Sequence, residues 1–324
     1  MEISIVVPTF NRREIVTRTL ATLFAQDFPA AGCEIIVVVD GSTDGTAEAL
    51  SSLRPGCRFR VIEQENRGLA GARNTGYRAA KADLVLFLDD DMLCDPGLLG
   101  AHVAAHKEAG PVVAFGALFL SADSPSSLAA ECFNREIGAF HLRRKNDPAA
   151  TWQETDCVFS NSSLPRKMLE EVGGFDETFR MREDFELGVR LFSAGVQPRY
   201  IGAAIAYQYY EKTSSDLIRD AEAFAVADVM FARKHPNAQI DGQLKRLAKD
   251  PGWKRRLRMM ATISPAAVDL LLAPLCGLGE AFFRVPLLRS MGVRALQMRR
   301  GIHWLHKVLE LHRDALETRD TKVV

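Results

Sequence analysis

Four short apolar segments in the first 91 residues, each followed by a polar or glycine-rich stretch, organise the start of this chain. The segments cover residues 3–7, 34–39, 60–62 and 84–88. Apolar runs of this length that stop at loop residues predict strands, and the segments at 3–7, 34–39 and 84–88 are predicted to be buried. Residues 14–24 carry apolar side chains at roughly helical spacing, which predicts the order strand, helix, strand for the first two segments.

This alternation of strands and helices predicts an α/β fold with a mostly parallel, doubly wound sheet flanked by helices. Open sheets of this kind bind ligands in a crevice at the carboxyl ends of their strands. The loop after the first segment, residues 8–12, contains neither G-x-G-x-x-G nor G-x-x-x-x-G-K-[ST]. The sequence therefore does not favour a dinucleotide-binding or a P-loop protein, because it lacks the main motif of each class.

Three consecutive aspartates, Asp89, Asp90 and Asp91, follow the fourth predicted strand. Adjacent carboxylates repel one another, and hard oxygen ligands of this kind favour Mg²⁺ or Mn²⁺, often shared with substrate phosphates. A solvated acidic turn is the other interpretation of such a triplet. The apolar strand directly before it favours a binding site at the sheet edge.

A second acidic pair, Glu183 and Asp184, falls in the first turn of a helix predicted over residues 181–191. The helix dipole favours carboxylates at that end, so the pair could serve the helix alone. Its position just after the Gly-Gly-Phe-Asp-Glu stretch at residues 173–177 favours a functional role instead.

Charge divides the chain although the whole is formally neutral. Residues 245–324 contain sixteen Lys and Arg against seven Asp and Glu, a formal charge of +9, and residues 1–244 carry −9. The six cysteines form no C-x-x-C pair, and the first residues lack the basic start of a signal peptide. We therefore expect a reducing, cytoplasmic location, with a peripheral position at the inner membrane face left open.

The basic C-terminal region is predicted to be mainly helical. Charged residues and Pro274 interrupt its apolar stretches well before the roughly 18 residues that a bilayer-spanning helix needs. Two interpretations of residues 254–300 stay open: peripheral contact with a membrane, or a helical cap packed on the rest of the chain or on a second subunit of a homodimer. No nucleic-acid-binding motif accompanies the basic charge, so we expect no nucleic-acid partner.

Two pairs of histidines are candidates for metal ligands. His102 and His106 stand four residues apart on a predicted helix without a third ligand nearby, so both are predicted to be surface residues, as are His303 and His306. Residues 141–155 are rich in charge and are predicted to form a mobile loop near the active site.

Taken together, the motifs of this chain resemble the inverting family 2 glycosyltransferases with the GT-A fold. The resemblance extends over about residues 3 to 211, in the order typical of that family. The matching segments are residues 6–12, 39–46, 66–68, 72–76, 89–91, Asn161 with 173–177, and 183–184.

The resemblance implies a role for each candidate residue. It implies that a nucleotide-diphospho-sugar donor is held by Pro8, Thr9, Asn11, Asp40, Asn66, Arg73, Asp89 and Asp90. Asp91, with Asp89, would ligate Mn²⁺ or Mg²⁺. By the same resemblance, Asp184 is the general base and Glu183 supports the acceptor pocket. Many relatives use a further histidine ligand, but residues 205–211 contain none, so Gln208, Glu211 or water remain the alternatives for that position.

The resemblance also suggests a division of the chain and of the possible functions. Residues 1–115 would form the nucleotide-sugar-binding half, 116–215 the acceptor-binding half, and 216–324 the helical extension. The expected reaction is transfer of a single sugar to a glycan, a lipid-linked acceptor or a small molecule, since no Gln-x-x-Arg-Trp element of processive synthases is present. The alternatives are a sugar nucleotidyltransferase and a catalytically silent nucleotide-sugar-binding partner.

Overall fold

The computed structural model describes residues 1–109, 111–147, 150–153, 156–236, 252, 256 and 264–320. The chain forms two compact units. The first unit consists of Met1–Ser124 with Glu136–Tyr210, and the second of Pro125–Arg135 with Glu211–Val324. The division at residue 115 into a donor half and an acceptor half stays a prediction.

Within the described residues, one sheet contains eight strands. They are β1 (Ile3–Thr9), β2 (Cys33–Asp40), β3 (Arg58–Gln64), β4 (Leu84–Leu88), β5 (Met92–Cys94), β6 (Val112–Leu120), β7 (Asn161–Pro165) and β8 (Gln197–Gln208). The helices of the same residues are α1 (Arg13–Phe24), α2 (Thr46–Ser51), α3 (Gly68–Ala79), α4 (Leu98–Ala109), α5 (Leu128–Asn146), α6 (Arg166–Val172), α7 (Glu183–Ser193), α8 (Ser214–Lys234), α9 (Pro265–Ala281) and α10 (Pro286–Asp320).

The strand order is β3-β2-β1-β4-β7-β6-β8-β5. The first four strands pair in parallel, and every residue of β1, β2 and β4 is buried, as their apolar sequences predict. The α/β prediction is confirmed. The second half of the sheet is mixed, because β7 runs antiparallel to both β4 and β6, and β5 runs antiparallel to β8.

Helix α3 lies close to the sheet because its sequence is rich in small residues. A Cβ placed on Gly76 would come within 2.2 Å of Cγ1 of Val6 in β1, so a larger residue would push the helix away. On the neighbouring strand, Phe87 makes edge-to-face contacts with Phe159 at 6.0 Å and Phe175 at 5.1 Å. This packing fixes α3 over the strands that end at the candidate site.

The second unit is built from α8, α9, α10 and the start of α5. Helix α9 crosses α10 closely, since a Cβ on Gly279 would lie 2.8 Å from the Cα of Gly292. Trp304 donates from Nε1 to Asp228 Oδ2 over 2.8 Å, which ties α10 to α8. Among the described residues, no helix combines the length and the apolar character needed to cross a membrane.

The structure corrects two predictions made from local sequence. His303 is not a surface residue: its ring contacts Glu222 at 2.8 Å and Asp269 at 3.0 Å, because neighbouring helices bring those carboxylates to α10. Residues 141–146 are not loop but the end of α5, where buried His141 lies 2.7 Å from the Tyr200 hydroxyl. Residues 148, 149, 154 and 155 of that predicted loop, and 254–263 of the predicted membrane contact except Arg256, lie outside the described residues.

Candidate active site

The carboxyl ends of β1 and β4 meet at the acidic triplet. Strand β4 ends at Leu88, and Thr9 at the end of β1 donates a hydrogen bond from Oγ1 to Asp90 Oδ2 over 2.7 Å. Thr19 of α1 donates to the backbone carbonyl of Asp90, also over 2.7 Å. The triplet is therefore held by the sheet on one side and by a helix on the other.

Arg12 supplies the positive charge nearest to two of the aspartates. Its Nη1 lies 3.0 Å from Asp90 Oδ1 and 3.2 Å from Asp91 Oδ2. Burial raises the pKa of Asp90 to about 7 and that of Asp91 to about 6, and the positive charge of Arg12 only partly offsets this. Sequence reasoning gave Arg12 no role, because its partners stand 78 and 79 positions away and only the fold brings them together.

The surroundings of Asp91 fit a cation ligand. Its Oδ1 is buried and accepts no hydrogen bond from the described residues, although each oxygen of a buried carboxylate normally has a donor or a cation beside it. Gln208, at the end of β8, donates from Nε2 to Asp91 Oδ2 over 3.2 Å. Within the part of the chain that the structure describes, no three His, Cys, Asp or Glu side chains are placed to hold a metal together.

Arg73 joins the triplet to the second acidic pair. This buried residue of α3 donates from Nη2 to Asp89 Oδ1 over 2.8 Å and from Nη1 to Glu183 Oε1 over 2.9 Å. Its guanidinium also lies over the ring of Phe175, 5.4 Å from the ring centroid. Two acidic groups that are 94 positions apart in the sequence thus face the same arginine.

Glu183 and Asp184 begin helix α7, as the sequence predicted. Arg182 precedes them with a φ of 67°, a left-handed conformation that turns the chain sharply into the helix. Burial raises the pKa of Glu183 to about 7, with the neighbouring Asp184 adding to the effect. Burial also raises the pKa of Asp184, and the charges of Arg73 and Arg182 oppose that rise. Such carboxyl groups exchange protons closer to neutral pH than ordinary ones do.

Asp40, at the end of β2, organises the loop that leads into α3. Its Oδ1 accepts hydrogen bonds from Gln64 Nε2 at 2.6 Å and from the backbone N–H of Arg67 at 2.9 Å. Its Oδ2 accepts from the N–H of Gly68 at 2.8 Å, and Asn66 Nδ2 donates to its backbone carbonyl at 2.9 Å. Asp40 and Asn66, both predicted to contact the donor, are therefore neighbours that shape one loop.

Pro8 lies in β1 and Asn11 lies just after it, beside the loop that follows β2. Asn11 has a φ of 52°, and its Oδ1 accepts a hydrogen bond from the N–H of Thr43 over 2.7 Å. The N–H of Asn11 donates to Ser42 Oγ over 2.9 Å. Pro8 is buried opposite Val38 of β2. These contacts join the first and second loops of the sheet edge into one surface.

The segments around residues 72–76 and 173–177 fit together in space. Asn74 donates from Nδ2 to the carbonyl of Phe175 and to Glu177 Oε1, each over 2.9 Å, and its Oδ1 accepts from the N–H of Phe175 over 2.9 Å. Glu177 also pairs with Arg67 at 2.7 Å. The glycine-rich segment before α7 is therefore anchored on α3, next to Arg73.

His102 and His106 are not surface residues, contrary to the sequence prediction. His102 is fully buried, with Nδ1 2.8 Å from Ser163 Oγ and Nε2 2.9 Å from Asn161 Oδ1, and His106 Nε2 lies 2.8 Å from the same serine oxygen. Asn161 uses its amide group on the carbonyls of Ala117 and Ala204, so its oxygen accepts and His102 Nε2 donates. The prediction failed because the partners come from β7, 57 to 61 positions away.

Because His102 is buried, the free energy of unfolding is expected to depend on pH. Burial lowers the pKa of His102 to about 4, below the value of about 6.5 in an unfolded chain. The folded state keeps the ring neutral, so its contribution is complete above about pH 6.5 and is lost as the pH falls towards about 4. That loss amounts to about 3 kcal/mol in the free energy of unfolding.

Urea unfolding across this range measures the effect. We expect His102→Gln, although less stable throughout, to lose less stability than the wild type when the medium is acidified. His312→Gln, at an exposed position of α10, should keep the wild-type slope. Equal slopes in all three proteins would show that His102 does not carry the effect.

Comparison with known proteins places these features in a family context. Residues 4–173 match the family model described as Glycosyl transferase family 2. Validoxylamine A glucosyltransferase of Streptomyces hygroscopicus subsp. jinggangensis is 33% identical over 269 residues, which cover 72% of this chain and 61% of that protein. The chain thus spans about three fifths of the length of the curated relatives it matches first.

Solved structures resemble the whole described fold. The mannosyltransferase PcManGT from Pyrobaculum calidifontis, in complex with GDP-Man and Mn²⁺, superimposes with a TM-score of 0.66 at 20% identity, covering 95% of this chain and 87% of that one. Residues 1–349 of S. aureus TarS, in complex with UDP, give a TM-score of 0.54 at 18% identity, covering 97% and 92%. At these identities, the likeness establishes the fold alone.

Proposed function

The chain belongs to glycosyl transferase family 2, and from that premise we propose that it is an inverting, metal-dependent glycosyltransferase. It moves one sugar from a nucleotide-diphospho-sugar to an acceptor hydroxyl. The observation that carries this proposal is the buried guanidinium of Arg73, which contacts Asp89 on one side and Glu183 on the other. The residues that bind the leaving diphosphate and the base that activates the acceptor then lie in one cleft, as a single displacement requires.

The donor lies along the loops that follow β1, β2 and β3. Pro8, Thr9 and Asn11 form the first wall, and Asp40 with Asn66 shapes the second. These groups hold the nucleobase and ribose, while Asp89 and Asp90 face the ribose and diphosphate. Arg73 has a buried Nε that makes no hydrogen bond with the described residues. Its N–H would donate a hydrogen bond to an oxygen of the bound nucleotide-sugar.

Asp91, with Asp89, would hold a Mn²⁺ or Mg²⁺ ion at the diphosphate. The buried Oδ1 of Asp91 supports this assignment, because it lacks any donor among the described residues. When bound there, the ion supplies Lewis-acid neutralisation of the departing nucleoside diphosphate. Gln208 contacts Asp91 and occupies the region where many relatives place a histidine, so we assign it, rather than Glu211, to this neighbourhood.

Asp184 acts as the general base on the acceptor side. Its carboxylate takes the proton from the acceptor hydroxyl while that oxygen bonds to the anomeric carbon and the bond to the diphosphate oxygen breaks. The raised pKa of Asp184 suits a proton acceptor that works near neutral pH. Glu183 positions the acceptor side through its bond to Arg73. One displacement inverts the anomeric centre, and no second nucleophilic carboxylate is needed.

Product analysis tests the proposed function directly. The full chain is incubated with UDP-, GDP- or dTDP-sugars, Mn²⁺ and a panel of glycan, lipid-linked and small-molecule acceptors. Glycoside formation with free nucleoside diphosphate supports the transferase. In a second incubation with a sugar phosphate and a nucleoside triphosphate, release of pyrophosphate supports the nucleotidyltransferase instead. Binding of the nucleotide-sugar without turnover in either incubation supports the silent partner.

Removing the charge of Asp91 tests the metal site. Mn²⁺ is expected to increase the affinity of the wild type for the nucleotide-sugar. We expect this increase to be at least about tenfold smaller in Asp91→Asn, because the amide keeps the size of the side chain but is a weaker metal ligand. Isothermal titration with the nucleoside diphosphate, with and without Mn²⁺, measures this gain. Asp95→Asn is the control, since Asp95 bonds to the N–H of Gly97 outside the triplet. An unchanged Mn²⁺ effect in Asp91→Asn would remove the assignment.

A further inference from the structure

Helix α9 exposes one face that carries no charge. Exposed apolar or small residues recur every three or four positions along this helix and just past its end. Glu280 is also exposed, but helical spacing places it away from this face. We call them the α9 stripe; its members are Ala267, Leu270, Leu271, Pro274, Gly277, Leu278, Ala281 and Phe282. Single exposed leucines are common on protein surfaces, but a continuous stripe of this length marks an interaction site.

The exposure of the largest members is high. Leu270 is 79% exposed and Leu271 63%, and at the far end Phe282 is 51% exposed. The stripe continues into the beginning of α10, where Leu287 is 70% and Met291 40% exposed. Apolar surface of this extent lowers its free energy when it leaves water, so something apolar is expected to cover it.

Arginines frame this apolar surface. Arg284 is exposed in the turn between α9 and α10 and makes no ion pair with any residue that the structure describes. Arg294 is exposed one helical turn beyond Met291, on the same side of α10. Arg289 lies between them in sequence, with its guanidinium 5.3 Å from the centroid of the Phe283 ring.

The two acidic residues of α9 are engaged elsewhere. Asp269 pairs with Arg299 at 2.7 Å, and Glu280 accepts hydrogen bonds from the N–H of Leu128 at 3.2 Å and from Ser214 Oγ at 3.0 Å. The exposed surface is therefore apolar with a cationic rim. The sequence between positions 245 and 263 contains seven Lys and Arg against one acidic residue.

We propose that the α9 stripe and the turn to α10 form a docking surface for a lipid bilayer that contains anionic headgroups. The leucines and Phe282 enter the interface between headgroups and acyl chains, and Arg284 and Arg294 contact lipid phosphates. A second copy of the chain fits less well, because pairing two such surfaces brings two cationic rims together. The proposal concerns binding and is independent of the sugar-transfer activity.

Vesicle sedimentation with the full chain tests this surface. The probes are vesicles of phosphatidylcholine alone and vesicles that also contain phosphatidylglycerol. We expect binding to the anionic vesicles, weakened by salt, and an at least about tenfold lower apparent affinity in the double variant Leu270→Glu/Leu271→Glu. Leu287→Glu is the second variant, and Leu142→Glu is the matched control, since Leu142 is 59% exposed on α5 and belongs to the first unit.

Three results decide the proposal once circular dichroism has shown that the variants are folded. Loss of binding in either leucine variant, with retention in Leu142→Glu, supports it. A wild-type chain that stays in solution with anionic vesicles, or stripe variants that still sediment with them, overturns it. The third result comes from sedimentation velocity. If the wild type is a dimer that the stripe substitutions dissociate, and it does not bind vesicles, the surface binds a second copy of the chain and the proposal is wrong.

Discussion

Asp184→Asn is expected to lower kcat by about 10²- to 10⁴-fold, the range that a positioned general base contributes. Asparagine has the same size and can still accept the hydrogen bond that Asp184 Oδ1 receives from the N–H of Phe185 at 2.8 Å. The variant therefore keeps the start of α7 and loses only the group that takes the proton. Donor affinity should stay near that of the wild type, because the proposed donor contacts lie on other loops.

Rate and binding are measured separately to isolate this effect. Initial rates at saturating donor report kcat, and titration with the nucleoside diphosphate reports donor affinity. In the wild type we expect the acidic limb of the rate profile to lie above the usual range of an aspartate, since burial raises the pKa of Asp184 and the base must be deprotonated to act. Activity then rises with pH through that pKa.

A surface substitution provides the control for Asp184→Asn. Asp123 is exposed and pairs with Arg18, so Asp123→Asn removes one carboxylate from the same unit without touching the candidate site. This variant should keep both the wild-type rate and the wild-type donor affinity. If Asp184→Asn lost donor affinity as strongly as rate, or kept its rate, Asp184 would not be the base.

Arg73→Met is expected to lower the free energy of unfolding by about 3–5 kcal/mol, the typical cost of removing one partner from a buried ion pair. Its guanidinium is the counter-charge shared by Asp89 and Glu183, whose side chains are 28% and 7% exposed. Methionine fills similar space, so the loss reports charge rather than a cavity. Urea unfolding at neutral pH measures it.

The deficit of Arg73→Met should shrink in acid. Without the guanidinium, the pKa of Glu183 in the folded state, which burial already raises to about 7, rises further, so the folded variant binds a proton that the unfolded chain does not. The deficit is largest above the folded-state pKa of Glu183 and narrows as the pH falls through about 7. Arg166→Met is the control, because Arg166 forms an exposed pair with Glu170 worth at most about 1 kcal/mol. Similar losses in both variants would contradict the bridging role.

The structure also explains why several distant motifs occur together in this chain: their residues are bonded to one another. Asn74 and the segment before α7 bond to each other across 101 to 103 positions, so the two motifs are halves of one joint. Asp40 bonds to the loop that begins α3. Neither relation could be predicted from the sequence, since hydrogen-bond partners so far apart depend on how strands and helices pack.

The sequence by itself determined the local features. Apolar runs ending in polar loops fixed the first four strands, and the aspartate triplet and the Glu-Asp pair fell where a strand ends and a helix begins. These features follow from short-range rules, because strand burial and helix starts depend on neighbouring residues.

Only the tertiary structure decided which groups face one another. It placed Arg12 on the triplet, Arg73 between the two acidic groups, and His102 in a buried network rather than at the surface. It also left the α9 stripe exposed, where the sequence alone allowed either burial or exposure. Long-range contacts and burial arise from packing elements that are distant in sequence, and no local pattern contains that information.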